Sequence, residues 1–337
     1  MTLRLIRLPQ YHVSNSRTRL TGCIDIAVFG PWRTNYQSFA NREITMPRIT
    51  LFIFALLLQP LTALASGSVV VDSLLMPAWV ERGNSRIALA PGMPLKTNDQ
   101  IRTGNGGKVL LKLEEGSDVK LGENVELAIE SIEPATESAE SVFSSTLNVL
   151  RGAFRFTTTL LGQDLRRDIN IRVGAVTAGV RGTDLWGKST GARSFVVLLE
   201  GKIDLMREGD AVVRMDNPMT IYQAPVGQPS NPVEPVDQNK LALWAQETEL
   251  DSGEGVITQG GKEIVYLASY QGRNGAEKAR DQFRHQGYAV EVFPALVNGN
   301  NWFRLGIKGF ASRADADSFG RRSNERLGTP GAWVSNI

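Results

Sequence analysis

Between residues 69 and 214 the chain alternates apolar and polar positions in short runs that are separated by glycine-containing turns. The clearest run is GKVLLKLEEGSDVKLGENVELAIE, in which Val109, Leu111 and Leu113 fall on one face and lysines and glutamates fall mostly on the other. Alternation with a period of two is typical of strands with one buried face, and no stretch here keeps a helical period. The pattern predicts an all-β domain of roughly ten short strands, arranged as a sandwich or as a curled, solenoid-like sheet.

Residues 217–261 interrupt this alternation. Four prolines lie between Pro225 and Pro235, a spacing that predicts a stiff, extended spacer. The run NKLALWAQETEL inside this segment predicts a short helix, with Trp244 docking back on a domain, and the glycine-rich run DSGEGVITQGG follows it. We interpret residues 217–261 as an interdomain linker that holds the two domains apart.

From residue 262 to residue 337 the pattern predicts a small α+β unit with the order βαββαβ. The predicted helices are GAEKARDQFRHQ and SRADADSFGRRSNERLG, and the second begins at Ser312 as its N-cap. The predicted strands are KEIVYLASY, GYAVEVF, NWFRLGIKGF and GAWVSN. Such a ferredoxin-like unit places both helices on one face of a four-stranded sheet and leaves the other face open.

The open face of this sheet is predicted to carry an aromatic and cationic strip. Alternation along the first and third strands leaves Tyr266 beside Trp302 and Arg304, on the face away from the helices. Aromatic rings stack on sugar rings or bases, and an arginine fork reaches hydroxyls, carboxylates or phosphates. The strip therefore predicts a binding surface, and the alternative is that a loop or the linker covers Trp302. The positions predicted to lie under the helices are Val265, Leu267, Phe303, Leu305 and Ile307.

Residues 46–65 are typical of a secretory signal peptide. Arg48 supplies the positive charge, an apolar run follows it, and Ala63-Leu64-Ala65 forms a cleavage site before Ser66. We expect Met46 to be the initiator and residues 1–45 to be a non-native extension. The mature chain is then expected to be periplasmic and to have no transmembrane helix, and a retained signal anchor is the alternative.

Removal of residues 1–65 changes the charge and the available chemistry. Those residues hold seven of the 37 basic and two of the 35 acidic side chains, which leaves 30 basic and 33 acidic ones. This balance removes the composition argument for a nucleic-acid partner. The single cysteine, Cys23, is also lost, and His285 is the only histidine that stays. We therefore expect no disulfide, no metal site and no cofactor.

Residues 262–337 resemble the SPOR domain, and the resemblance rests on IVYLASY, AEKA, WFRLGIKGF and ADA. It implies binding to peptidoglycan glycan strands that have lost their stem peptides, in many members at the division septum of bacteria. It also places the family's ligand contacts on Tyr266, Ser269, Trp302 and Arg304. Many members have glutamine where this chain has Tyr266.

The β domain, which we assign to residues 66–216, resembles the FecR domain. The resemblance rests on PGMPLKTNDQIRTGNGGKVLLKLEEGSDVKLGEN, LNVLRGAFRF, AGVRGTDLWG and VVLLEGKIDL, which occur in that order. It implies an extracytoplasmic, β-rich interaction module.

Together these observations predict an exported, non-enzymatic protein of a Gram-negative cell envelope. It binds peptidoglycan glycan strands through its SPOR-like domain, with the cell-division site as a candidate location, and engages an unknown envelope protein through its FecR-like domain. One alternative is a peptidoglycan hydrolase of the lytic transglycosylase type, with Glu114, Glu115 or Glu200 as the acid. The other alternative is a periplasmic regulatory partner of a surface receptor.

Overall fold

A computed structural model describes residues 69–133, 142–158, 166–180, 182–329 and 331–336. The predicted extension, the signal peptide and its cleavage site lie outside the described residues. Within those residues no helix combines the length and the apolar character that crossing a membrane requires.

From residue 69 to residue 235 the described chain folds into antiparallel strands, apart from one parallel pair, as the alternating pattern predicts. The strands are β1 (Val69–Leu75), β2 (Ala78–Arg82), β3 (Ser85–Ala88), β4 (Pro94–Leu95), β5 (Gln100–Thr103), β6 (Lys108–Leu113), β7 (Asp118–Leu121), β8 (Glu126–Glu133), β9 (Val142–Thr157), β10 (Arg166–Val173), β11 (Val176–Val180), β12 (Asp184–Ser189), β13 (Arg193–Glu200), β14 (Ile203–Arg207), β15 (Val213–Met215), β16 (Thr220–Pro225) and β17 (Glu234–Pro235).

The strands of this β domain pair into two sheets. Sheet 1 runs in the order β17-β16-β13-β12-β9-β7-β6-β1-β4, and sheet 2 runs in the order β15-β14-β11-β10-β9-β8-β5-β2-β3. The parallel pair is β9 with β10. Buried side chains of both sheets form one hydrophobic cluster, so the two sheets enclose a common core. This arrangement confirms the predicted all-β domain.

Strand β9 belongs to both sheets because it bends at Gly152. Its first half pairs with β8 and β10, and its second half pairs with β7 and β12. Gly152 has a φ of +89°, and a Cβ there would lie 2.6 Å from Cγ2 of Val125. Only glycine fits this bend, because any side chain would meet both the strained backbone and the core.

The segment that we predicted as a spacer lies on sheet 1 instead. Strand β16 extends the sheet beyond β13, and helix α1 (Gln238–Thr248) begins at its N-cap Asp237. The ring of Trp244 stacks on Trp186 at 5.1 Å, with only 5° between the ring planes. The predicted helix and the docking of Trp244 are confirmed, but the extended spacer is wrong. The apolar outer face of sheet 1 makes docking of the segment more favourable than exposing that face to water.

Ion pairs fix the end of α1 to the same sheet. Glu249 pairs with Lys120 and, at 3.0 Å, with Arg155, and Glu247 pairs with Lys188 at 2.8 Å. All of these side chains are partly buried, so water screens them less than it screens an exposed pair.

The two-residue strand β18 (Ile257–Thr258) joins the β domain to the C-terminal sheet. Ser73 and Leu74 of β1 pair with Thr258 and Ile257, and Ile257 also pairs with Phe310 of the C-terminal sheet. Side chains from both domains belong to the same buried cluster. The two domains are therefore joined by hydrogen-bonded strands and by a common core.

The C-terminal domain has the predicted βαββαβ order. Its elements are β19 (Glu263–Tyr270), α2 (Arg273–His285), β20 (Glu291–Val297), β21 (Asn300–Phe310), α3 (Arg313–Leu327) and β22 (Trp333–Asn336). The strands pair in the order β20-β21-β19-β22. Val265, Leu267, Leu305 and Ile307 are at most 3% exposed, and Phe303 packs against the same cluster, which confirms the predicted core face.

Asp315 connects helix α3 to the backbone that precedes β18. Ser312 caps the helix as predicted, and its hydroxyl donates to Asp315 Oδ2 at 2.5 Å. The backbone N–H groups of Gly253, Gly255 and Val256 donate to Asp315 Oδ1 at 2.8 to 3.0 Å. Burial alone raises the pKa of this carboxyl, but the hydrogen bonds together outweigh burial and hold the pKa below its usual range.

We expect Asp315→Asn to lower the free energy of unfolding at neutral pH by about 1–3 kcal/mol, because a charged acceptor of three backbone hydrogen bonds is lost. The folded-state pKa is depressed, so this stabilisation is present above the unfolded pKa of about 3.9 and is lost as the pH falls through the folded value. Denaturant melts of both proteins at about pH 7 and about pH 3 measure the effect. A stability difference that stays constant over this range contradicts the assignment.

We also expect Trp244→Ala to lower the free energy of unfolding by about 2–3 kcal/mol, because it removes the stack on Trp186 and uncovers sheet 1. Leu243→Ala is the matched control, since Leu243 is 65% exposed on the same helix and its truncation should change stability by less than about 0.5 kcal/mol. Thermal melts of the two variants measure the contrast. Equal effects would show that α1 is not held by its tryptophan.

Candidate functional site

The face of the C-terminal sheet away from the helices brings together residues from all four of its strands. Arg304 on β21 lies directly opposite Ser269 of β19 on one side and Phe293 of β20 on the other. Tyr266 lies opposite Gly306 and, across its other edge, opposite Trp333 of β22. We call the set Tyr266, Ser269, Phe293, Trp302, Arg304 and Trp333 the open-face strip.

A β-bulge in β19 places both Tyr266 and Ser269 on the strip. Simple alternation puts residues three apart on opposite faces of a strand. The register of β19 against β21 shifts between Tyr266 and Ala268, so one extra residue is inserted there. Ser269 therefore meets Arg304 on the same face on which Tyr266 meets Gly306.

Three aromatic rings form the centre of the strip. Tyr266 stacks with Trp333 at 5.1 Å and 30°, and it meets the ring of Phe293 edge-on at 5.8 Å and 89°. Gly306 makes room for this cluster, since a Cβ there would lie 2.9 Å from Cδ1 of Tyr266. The rings come from β20, β19 and β22 and form an apolar surface across the width of the sheet.

Arg304 supplies the positive charge at this centre. Its guanidinium carbon lies 5.5 Å from the ring centre of Tyr266 and 5.6 Å from that of Trp333. Cation–π attraction holds the guanidinium in this position and uses none of its N–H donors. Among the described residues no carboxylate forms an ion pair with Arg304. Its donor fork is thus left for an external acceptor.

The four predicted site residues occupy different positions in the strip. Tyr266 and Arg304 lie together at its centre, Ser269 is exposed beside Arg304, and Trp302 lies one residue pair further along β21, opposite Ala295. Trp302 is half-buried, and Ala295 opposite it adds little bulk to that end of the strip.

Sequence reasoning missed Phe293 and Trp333. Both lie in predicted strands, and the register of each strand against its neighbour decides which face their side chains share. An aromatic residue in the second strand and one in the last strand were the available signals. A prediction that applied alternation to all four strands would have included them.

The described part of the chain offers no group of three or more His, Cys, Asp or Glu side chains that could hold a metal ion. The strip itself has no carboxylate, and its polar groups are the guanidinium of Arg304, the hydroxyls of Ser269 and Tyr266, and the indole N–H groups of its two tryptophans. These groups can donate to and accept from a ligand, and together they form a binding surface.

Comparison with solved structures gives two crystal structures described as a "putative anti-sigma factor" from Parabacteroides distasonis ATCC 8503. One is 13% identical, covers 68% of this chain and 92% of that chain, and has a TM-score of 0.35. The other is 12% identical, covers 71% and 97%, and has the same TM-score. A similarity this low carries no argument about fold or function. Comparison with curated proteins gives no match.

Comparison with protein families gives two matches, and each falls on one of the two domains. Residues 99–204, within the two-sheet domain, match the family described as FecR protein. Residues 260–334, which include the whole βαββαβ unit up to the middle of β22, match the SPOR domain. The chain therefore carries a FecR domain followed by a C-terminal SPOR domain.

Proposed function

We propose that this chain is an exported, non-enzymatic protein of the cell envelope that binds peptidoglycan glycan strands through the open-face strip of its SPOR domain. The SPOR domain supports peptidoglycan binding, and the FecR domain supports a regulatory or interaction role. The observation that carries the proposal is Arg304, which lies beside the two stacked rings of Tyr266 and Trp333 and has no carboxylate partner among the described residues.

The chemistry of the strip suits a glycan without stem peptides. The rings of Tyr266 and Trp333 offer faces on which the apolar side of a sugar ring can stack. Removal of a stem peptide frees the lactyl carboxylate of the muramic acid, and a guanidinium binds a carboxylate in a bidentate way. Ser269, opposite Arg304, can bond to a sugar hydroxyl beside that contact.

The distribution of charge agrees with an anionic ligand at this end of the chain. Residues 262–337 carry 11 basic and seven acidic side chains, whereas residues 66–261 carry 19 basic and 26 acidic ones. The SPOR domain is thus positive and the rest of the mature chain is negative. Such a field attracts an acidic glycan to the strip and opposes its binding to the FecR domain.

The predicted signal peptide at residues 46–65 supports export and a periplasmic address in a Gram-negative bacterium. A sheet with surface aromatics can also stack RNA bases, but export keeps the chain away from RNA.

A role at the division septum follows from the behaviour of many SPOR domains. In this proposal the FecR domain presents its outer surface to a second envelope protein. If that second protein is a surface receptor, this chain is its periplasmic regulatory partner, which is the alternative function.

None of the three glutamates nominated as the acid of a lytic transglycosylase is placed as such an acid would be. The side chain of Glu115 is sealed from solvent, where it accepts from the backbone N–H of Ser117 at 2.6 Å. Glu114 and Glu200 are exposed, on the β6–β7 turn and at the end of β13. An acid that protonates a glycosidic oxygen needs both a cleft and access to substrate, so these positions support a non-enzymatic role.

We expect the double variant Trp302→Ala, Arg304→Ala to stay folded and to bind denuded glycan tens of fold more weakly, because one desolvated anchor contributes on the order of 2 kcal/mol. Co-sedimentation with amidase-treated sacculi measures binding, and thermal melts report folding. Arg313→Ala is the control, because Arg313 is exposed at the start of α3, on the helix side of the sheet. Full-strength binding by the folded double variant would refute the strip as the glycan site.

We also expect the full chain to release no soluble fragments from purified sacculi, because one nominated glutamate is sealed from solvent and the other two lie exposed on a turn and at a strand end. Chromatography of the supernatant after incubation measures this. Release of anhydro-muropeptides, abolished by Glu115→Gln, Glu114→Gln or Glu200→Gln, would instead establish the hydrolase alternative.

A further inference from the structure

The sheet face that carries the open-face strip continues along β21 beyond the strip itself. Trp302, Arg304, Gly306 and Lys308 alternate onto the same face of this strand. At a rise of about 3.3 Å per residue, the distance from Trp302 to Lys308 is roughly 20 Å. A surface of this length accommodates several sugar rings in a row.

Beyond the strip, at Lys308, this face meets a cleft to which both domains contribute. The cleft has a volume of about 560 Å³, which is within the range of ligand pockets. One wall comes from the FecR domain, with Ala90 and Pro91, and the other comes from Glu291 and Lys308 of the SPOR sheet. The turn that follows β18, residues 259–261, lies between them. An isolated SPOR domain would lack one wall.

The polar groups of the cleft are suited to a sugar. Lys308 Nζ lies 3.1 Å from Glu291 Oε2, and both side chains remain substantially exposed, at 52% and 38%. An ammonium can donate to an acetamido carbonyl or a lactyl carboxylate, and a carboxylate can accept from a sugar hydroxyl. The side-chain amide of Gln259 can do both, and it lies against the glycine turn of the FecR domain at Gly92.

The shape of the cleft is suited to the same ligand. Gly260, Gly261 and Gly309 contribute backbone to its lining, so no side chain projects from this part of the cleft. Gly261 packs so closely on Gly309 that a Cβ there would lie 2.2 Å from the carbonyl oxygen of Gly309. Pro91 adds an apolar surface for a ring face or an acetamido methyl group.

The two walls are fixed relative to each other. Strand β18, which directly precedes the 259–261 turn, pairs with β1 of the FecR domain and with β21 of the SPOR domain. A cleft held by paired strands needs little ordering when a ligand enters it, which favours affinity.

We propose that this interdomain cleft is a second glycan subsite, so that the mature chain binds a longer stretch of peptide-free glycan than its SPOR sheet holds alone. The proposal rests on the proposed function of the strip. In it, Lys308 and Glu291 bond to the polar groups of one sugar while Gln259 and Pro91 contact the same ring from the other side.

The test compares binding of the full mature chain to a peptide-free tetrasaccharide and to a peptide-free decasaccharide of the glycan, by calorimetry. We expect the decasaccharide to bind about tenfold more tightly. Lys308→Ala and Gln259→Ala should remove the extra affinity for the decasaccharide and leave tetrasaccharide binding unchanged. Arg304→Ala should weaken the binding of both saccharides. Arg313→Ala is the control for loss of one positive charge, and thermal melts confirm folding of each variant.

Equal affinity of the wild-type chain for the two ligands would overturn the subsite while leaving the strip intact. The subsite is also refuted if Lys308→Ala lowers the affinity for both saccharides to the same extent, because the lysine would then act only through long-range electrostatic attraction. Failure of the wild-type chain to bind either saccharide would instead contradict the proposed function. As a second variant, Ala90→Trp fills the cleft without changing charge and should abolish the length dependence in the same way.

Discussion

The pairing of β18 with two different strands is the constraint on which the rest of the molecule depends. Ile257 is fully buried, and it joins Leu74 of the FecR domain to Phe310 of the SPOR domain. The backbone just before it is held by a buried carboxylate, that of Asp315, at the start of α3. Two short stretches of hydrogen bonds therefore join two domains whose sequence patterns predict separate folding units. Apolar side chains of both domains belong to one buried cluster.

This junction changes what a SPOR domain can do for the chain that carries it. On a flexible tether, glycan binding would only raise the local concentration of the FecR domain near the wall. Here the strip and the FecR domain belong to one compact unit, so a glycan bound along β21 would also set the orientation of the FecR domain. The docking of α1 on sheet 1 through Trp244 shortens the connection further. A partner of the FecR domain would then meet it at a defined angle to the glycan strand.

Local sequence patterns were enough to predict the two fold classes, the core face of β21 and the helix cap at Ser312, because each depends on residues near one another in the chain. The position of residues 217–261 depended on a distant apolar surface around Trp186, which a proline count cannot reveal. The strip was predicted only in part. Tyr266 and Arg304 follow from simple alternation, whereas Ser269 reaches them through a bulge and Trp333 through strand pairing. Register is a tertiary property, set by packing and turns.

The most direct measurement of the central claim is a titration of the ¹⁵N-labelled full mature chain with peptide-free glycan, followed through the indole N–H signals. Of the six tryptophans, one precedes the predicted signal peptide, two lie on the strip (Trp302 and Trp333), and three lie elsewhere (Trp79, Trp186 and Trp244). If glycan binds to the strip, the indole N–H signals of Trp302 and Trp333 shift and those of Trp186 and Trp244 do not. Shifts at Trp186 and Trp244, with Trp302 and Trp333 unchanged, would contradict it.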